Sequence, residues 1–213
     1  RMMFSIVGND DPSKGLIVND KTHLQNAQAD LMDTIERAAN HLRAQDQCSG
    51  LVAAAGFCFG ARNAYLSLSE NTSMDAAVAF YPTPRLHEVF DPAAASAINK
   101  PMMFVYGGQD PYISGQEKKS MRDASGTVIR YIPGEDSPHV EGTDINTNAN
   151  PNLITLAYTA NDHGFNRRVS DYSDPGASDH VLSAAVEFLQ AALNAQHPRF
   201  EVPQTAQTKM PQS

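Results

Sequence analysis

Three short apolar runs constrain this chain more than any other feature. Residues 51–57 (LVAAAGF), 75–81 (DAAVAFY) and 102–106 (MMFVY) are each continuous, with no polar alternation. Runs of that length suit parallel strands buried on both faces. Helical patterns lie between and around them. Over residues 24–42, Leu24, Ala27, Leu31, Ile35, Ala38, Ala39 and Leu42 share one face. Residues 61–68, 92–98 and 115–123 read as shorter helices, and 181–193 as a closing amphipathic helix. Residues 128–132 and 153–158 are two further strand candidates. Residues 133–152 are rich in turn formers and read as an insertion between them. Strands alternating with helices predict an α/β fold with a mostly parallel sheet. The expected organisation is one domain over residues 1–196 and a loose Gln- and Pro-rich tail over 197–213.

Composition narrows the function classes. The chain has 213 residues, 41% of them hydrophobic and 19% charged, enough for a full core. The net charge is −8, without a Lys/Arg stripe, which disfavours nucleic acid or an anionic membrane as partner. No apolar run approaches a membrane span, and no signal-peptide pattern is visible. Two cysteines, Cys48 and Cys58, are too few for a disulfide scaffold and read as free thiols in a reducing cytoplasm. Neither the cysteines nor the acidic residues fall at metal-ligand spacing, so no metal is expected.

In a parallel sheet, chemistry collects at the carboxyl ends of the strands. The first run ends at Cys58, in Gly56-Phe57-Cys58-Phe59-Gly60. The third ends in Gly107-Gly108-Gln109-Asp110. A later one ends just before His163. A nucleophile, a histidine to take its proton and an acid to orient the histidine are what acyl transfer needs. The G-x-C-x-G stretch suits a tight strand-to-helix turn whose flanking positions must be small because neighbouring backbone comes close. It puts the thiol at a helix N-terminus, which favours the thiolate, and aims the Phe59 N–H where an oxyanion would form. Each residue also has a plain structural reading. Cys58 could be a buried thiol between packing glycines, Asp110 a turn residue or helix N-cap, and His163 a surface histidine. The three in this order weigh more than any one alone.

Together with residues 75–81 and His163-Gly164-Phe165-Asn166-Arg167, these motifs resemble the dienelactone hydrolases (carboxymethylenebutenolidases). The resemblance runs from about residue 24 to 193. It implies an α/β-hydrolase fold and a Cys-His-Asp triad of Cys58, His163 and Asp110, working without a cofactor on a small lactone or ester. It also implies Arg167 as a binder of a substrate carboxylate, a role that suits a guanidinium fork. The family carries further N-terminal strands, and a loop that gives a second oxyanion N–H. Residues 1–23 are too short to hold these, so the N-terminal part of the fold is expected to be missing, or the site completed in another way. Ala61 stands where a further glycine is usual. The interval from Asp110 to His163, 163 − 110 = 53 residues, is long. His139, at 139 − 110 = 29, is therefore a rival base, although no arginine follows it as Arg167 follows His163. His180 reads as a surface histidine, and His87, after a Pro-rich turn, carries no functional signal. A general esterase or thioesterase with the same triad, and a non-catalytic binding module, are the competing functions.

Overall fold

The second and third apolar runs become fully buried strands. In the computed structural model, which describes residues 21–70, 73–82, 90, 92–134, 136–166 and 174–194 (backbone only at 21–27 and 92), the elements alternate along the chain. They are α1 (Lys21–Arg43), β1 (Ala53–Phe57), α2 (Phe59–Ser69), β2 (Ala76–Phe80), α3 (Pro92–Ala97) and β3 (Met102–Gly107). These are followed by α4 (Gly115–Ala124), β4 (Ser125–Ile132), β5 (His139–Ile145), β6 (Asn150–Tyr158) and α5 (Pro175–Leu193). The tail at 197–213, Arg167 and His87 lie outside the described residues.

One six-stranded sheet runs in the order β1-β2-β3-β6-β4-β5. Every pairing is parallel except β4 with β5. Every residue of β2 and β3 is buried, as continuous apolar runs require. β1 departs from that expectation: Ala55 is exposed and the other positions only partly covered, apart from Gly56. The reason is topological, because among the described residues β1 has a strand neighbour on one edge only. Helix α2 packs on β1 and β2, α5 on β2, and α4 on β4 and β6. The Arg43 guanidinium at the end of α1 donates to Asp75 Oδ2 at 2.8 Å and to the Gly50 carbonyl at 3.0 Å. Asp75 Oδ2 also accepts from the Val52 N–H at 2.8 Å, so one carboxylate ties α1 to the starts of β1 and β2.

The supposed insertion at 133–152 is not structureless. β5 lies inside it, and β6 begins at Asn150 rather than Leu153. Only Val140 and Gly142 of β5 are even partly covered, so it has no apolar face to mark it in the sequence. Its stability comes from backbone pairing to β4 and from Arg130, which pairs with Glu141 and Asp144 across the strands. Helix α5 starts at Pro175, six residues before the apolar pattern does. Asp174 caps it, accepting from the Ala177 N–H at 2.9 Å, and Pro175 occupies its first turn.

Candidate active site

Cys58 sits where β1 turns into α2, with φ 54° and ψ −117°. That is an unfavourable backbone conformation for a residue with a Cβ. It holds because the surroundings fix it. The Cys58 N–H donates to the Phe80 carbonyl at 3.0 Å, and the Cys58 carbonyl accepts from the Ala61 and Arg62 N–H groups. The Phe59 and Gly60 N–H groups precede those first helical bonds, at the opening of α2. The side chain of Phe59 is itself exposed, with the Arg62 guanidinium 5.7 Å from its ring centre.

The two elbow glycines are not equivalent. A Cβ on Gly56 would overlap the Gly60 carbonyl, whereas a Cβ on Gly60 would meet nothing within 4 Å. The expectation that both flanking positions must be small therefore holds for Gly56 and not for Gly60 among the described residues. Gly56→Ala should cost about 2–4 kcal/mol of stability, since backbone must move on both sides of the turn. Gly60→Ala should cost less than about 1 kcal/mol. Urea unfolding of the two variants measures the contrast, and equal losses would contradict it.

Asp110 follows β3 and is buried, at 2% exposure. Its Oδ1 accepts from the Tyr112 N–H at 2.8 Å, and its Oδ2 lies 2.8 Å from His163 Nδ1. It is not the cap of α4. Ser114 is, in a capping box with Glu117. The loop carrying Asp110 docks against the loop carrying His163: the Gly108 N–H donates to the Tyr158 carbonyl at 2.7 Å, and the Gln109 N–H to the Asn161 carbonyl at 3.0 Å. Side chains at Gly107 or Gly108 would strike the backbone of Asn161 or Thr159, which explains the paired glycines. The Lys118 ammonium clasps the same loop, donating to the carbonyls of Gly108 (2.8 Å) and Asp110 (2.9 Å). Burial pushes the pKa of this lysine down.

His163 follows β6. Its Nδ1 faces Asp110, and it shares a side-chain hydrogen bond with Cys58. Burial alone pulls the imidazole's pKa down. The hydrogen bonds to Asp110 and Cys58, and the negative charge of both, outweigh burial and push it up to about 9. The structure thus brings Cys58, His163 and Asp110 into one line. His139 is elsewhere, at the exposed start of β5 opposite Ile132. Its ring lies over Gly134, where a Cβ would strike it.

Several neighbours escaped the sequence reading. Tyr81 and Tyr112 present ring edges to His163, at 4.7 and 5.0 Å between centroids. His180 is not a surface histidine: it is partly buried, its Nδ1 lies 2.7 Å from the Tyr158 hydroxyl, and burial pushes its pKa down. Among the described residues no three His, Cys, Asp or Glu side chains gather as a metal site needs, and no helix is long and apolar enough to cross a membrane. Neither Cys48 nor Cys58 is in a disulfide.

The comparisons with known proteins agree with this architecture. A protein assigned as a dienelactone hydrolase from Klebsiella pneumoniae subsp. pneumoniae superposes with a TM-score of 0.54 at 21% identity, covering 76% of this chain and 62% of its own. A dienelactone hydrolase-like promiscuous phosphotriesterase from metagenomic libraries gives 0.53 at 18%, covering 80% and 65%. An esterase from Pyrococcus furiosus gives 0.52 at 17%, covering 76% and 62%. At these identities the likeness is one of fold, and this chain spans less than two thirds of the length of each. No curated protein matches the sequence. The family profile described as "Dienelactone hydrolase family" matches residues 7–131, well over half of the chain, including Cys58 and Asp110 and ending before His163. The chain belongs to the dienelactone hydrolase family.

Proposed function

We propose that the chain hydrolyses a carboxylic ester through a cysteine nucleophile. The observation that carries this reading is the hydrogen-bonded line from Asp110 through His163 to Cys58 at the carboxyl ends of β3, β6 and β1. A charged imidazole in contact with a sulfur is the arrangement in which a thiol gives up its proton. The thiolate attacks the carbonyl carbon, and the carbonyl oxygen gains negative charge beside the Phe59 N–H. Collapse breaks the ester C–O bond, with His163 giving its proton to the leaving oxygen. A thioester remains on Cys58. His163, now neutral, takes a proton from water as the hydroxide attacks, the C–S bond breaks, and the thiolate and imidazolium are restored. Asp110 keeps the imidazole in the tautomer that both steps use and offsets its positive charge. No cofactor enters the cycle.

A lactone or small ester, dienelactone-like, is the substrate class that family membership supports. Arg167 keeps, as part of this proposal, the role of holding a substrate carboxylate. Of the structural neighbours, one carries the name of an esterase and one that of a promiscuous phosphotriesterase, which supports a broader ester range as the second reading. A reducing cytoplasm suits the free thiol at the centre of the cycle.

The choice of base is tested by two variants. With p-nitrophenyl acetate and a dienelactone as substrates, His163→Ala should lower kcat/KM about 10²-fold or more. His139→Ala should leave it within about twofold, as a surface change on an edge strand does. The opposite pattern would move the proton-carrying role to His139.

A further inference from the structure

Tyr81 is the first residue after β2, the strand that lies between those carrying Cys58 and Asp110. It is 1% exposed and holds a φ of 40°, in the left-handed region. A bulky residue rarely stays there unless its side chain or its neighbours require it. The backbone is pinned by its N–H, which donates to the Val105 carbonyl at 2.6 Å. The ring stands between the two halves of the site. On one side it meets Phe57, the residue before Cys58, at 6.1 Å between centroids. On the other it presents an edge contact to His163 at 4.7 Å and to Phe165 at 6.5 Å. Its hydroxyl donates to Asn166 Oδ1 at 2.7 Å.

The loop that Tyr81 reaches is also held by the Asp110 loop, through the Gln109 N–H on the Asn161 carbonyl and through Asp110 on His163, and from the side of α5. Asn161 Nδ2 donates to Asp174 Oδ2 at 2.9 Å, the Asp174 N–H to the Phe165 carbonyl at 3.1 Å, and Ser178 Oγ to the Asn166 carbonyl at 3.1 Å. Those bonds fix where the loop begins and ends. They do not fix how far the imidazole stands from a sulfur on another strand. We propose that Tyr81 is a positioning residue that sets the approach of His163 to Cys58, its strained backbone aiming the ring as a spacer between β1 and the histidine loop. This inference rests on the proposed thiol chemistry, since it assigns Tyr81 a task within it.

The test uses the whole chain, with Tyr81→Phe and Tyr81→Leu compared against wild type and His163→Ala. Two readouts are needed: kcat and KM for p-nitrophenyl acetate, and the pH profile of Cys58 alkylation by iodoacetamide, which involves no ester. Tyr81→Leu, which removes the ring, should lower kcat about tenfold or more with KM within about threefold, as mispositioning of a reacting group does. Its alkylation profile should move towards that of His163→Ala. Tyr81→Phe, which keeps the ring and loses only the Asn166 bond, should recover most of kcat and most of the profile. A folded Tyr81→Leu with wild-type kcat and alkylation profile overturns the inference, as does a fall in kcat with an unmoved profile. Should Tyr81→Leu fail to fold, Tyr81→Asn, which also removes the ring and tolerates the left-handed backbone, decides: a fall in kcat with a displaced profile supports the positioning role, and wild-type kcat and profile overturn it. Hydrolysis that survives in Cys58→Ala would instead remove the thiol mechanism itself, whatever Tyr81 does.

Discussion

Cys58→Ala should abolish hydrolysis of p-nitrophenyl acetate and of a dienelactone, with kcat/KM falling on the order of 10³-fold or more. The substitution removes the atom that forms the thioester. Cys48, the other thiol, places its sulfur against the Leu51 carbonyl before β1 begins, at the opposite end of the strand. The loss cannot come from a collapsed core, because Cys58 is only partly buried and alanine removes one atom. Equal thermal unfolding of the two proteins would establish that. Alanine also relieves none of the backbone strain at φ 54°, since it carries the same Cβ. If Cys58→Ala and wild type hydrolyse these esters equally, or neither does so above background, the chain is not a thiol ester hydrolase. The second outcome would favour a binding module on the same scaffold.

Asp110→Asn should lower kcat/KM about 10²-fold or more while leaving the fold intact, because the amide is isosteric and can still accept from the Tyr112 N–H. The carboxylate is one of the two groups that hold the His163 pKa at about 9 against the opposing effect of burial. The sign follows directly. Below that value the imidazole carries the proton that the leaving oxygen needs. As pH rises through about 9 the proton is lost, and kcat/KM should decline. Without the negative charge of Asp110 the same decline should begin at lower pH, so wild type and variant differ most between neutral pH and about 9. A pH–rate profile of each protein measures this. An alkaline limb that stays in place in Asp110→Asn would mean that the carboxylate does not govern the charge of His163.

Much of this arrangement was legible in residue order, for reasons that can be named. β2 and β3 announce themselves because both faces are covered, so every position is apolar. The elbow announces itself because a strained turn leaves Gly56 no room for a side chain. β5 did not, because an edge strand with seven exposed or half-exposed positions is held by its backbone, and backbone pairing leaves no mark on composition. The start of α5 carried a readable signal in Asp174-Pro175, which the apolar period over 181–193 overshadowed. Tyr81, Asn166, Lys118 and His180 were hidden for a different reason. Each matters through a partner at least eight residues away in the chain, and in most cases on another strand or helix, so no local pattern distinguishes it from an ordinary tyrosine, asparagine, lysine or histidine.

The sheet order has a consequence for how the chain comes to work at all. Among the described residues β6 is the last strand in chain order, yet it is inserted between β3 and β4, and it brings His163 to a sulfur 163 − 58 = 105 residues earlier. A chain in which β1, β2 and β3 have paired but β6 has not would hold Cys58 and Asp110 with no histidine between them. Contacts of such long separation are slow to close, because the loop entropy is lost before the contact repays it. After dilution from denaturant, helix content should therefore return before ester hydrolysis does, and the lag between them would time the arrival of a single strand.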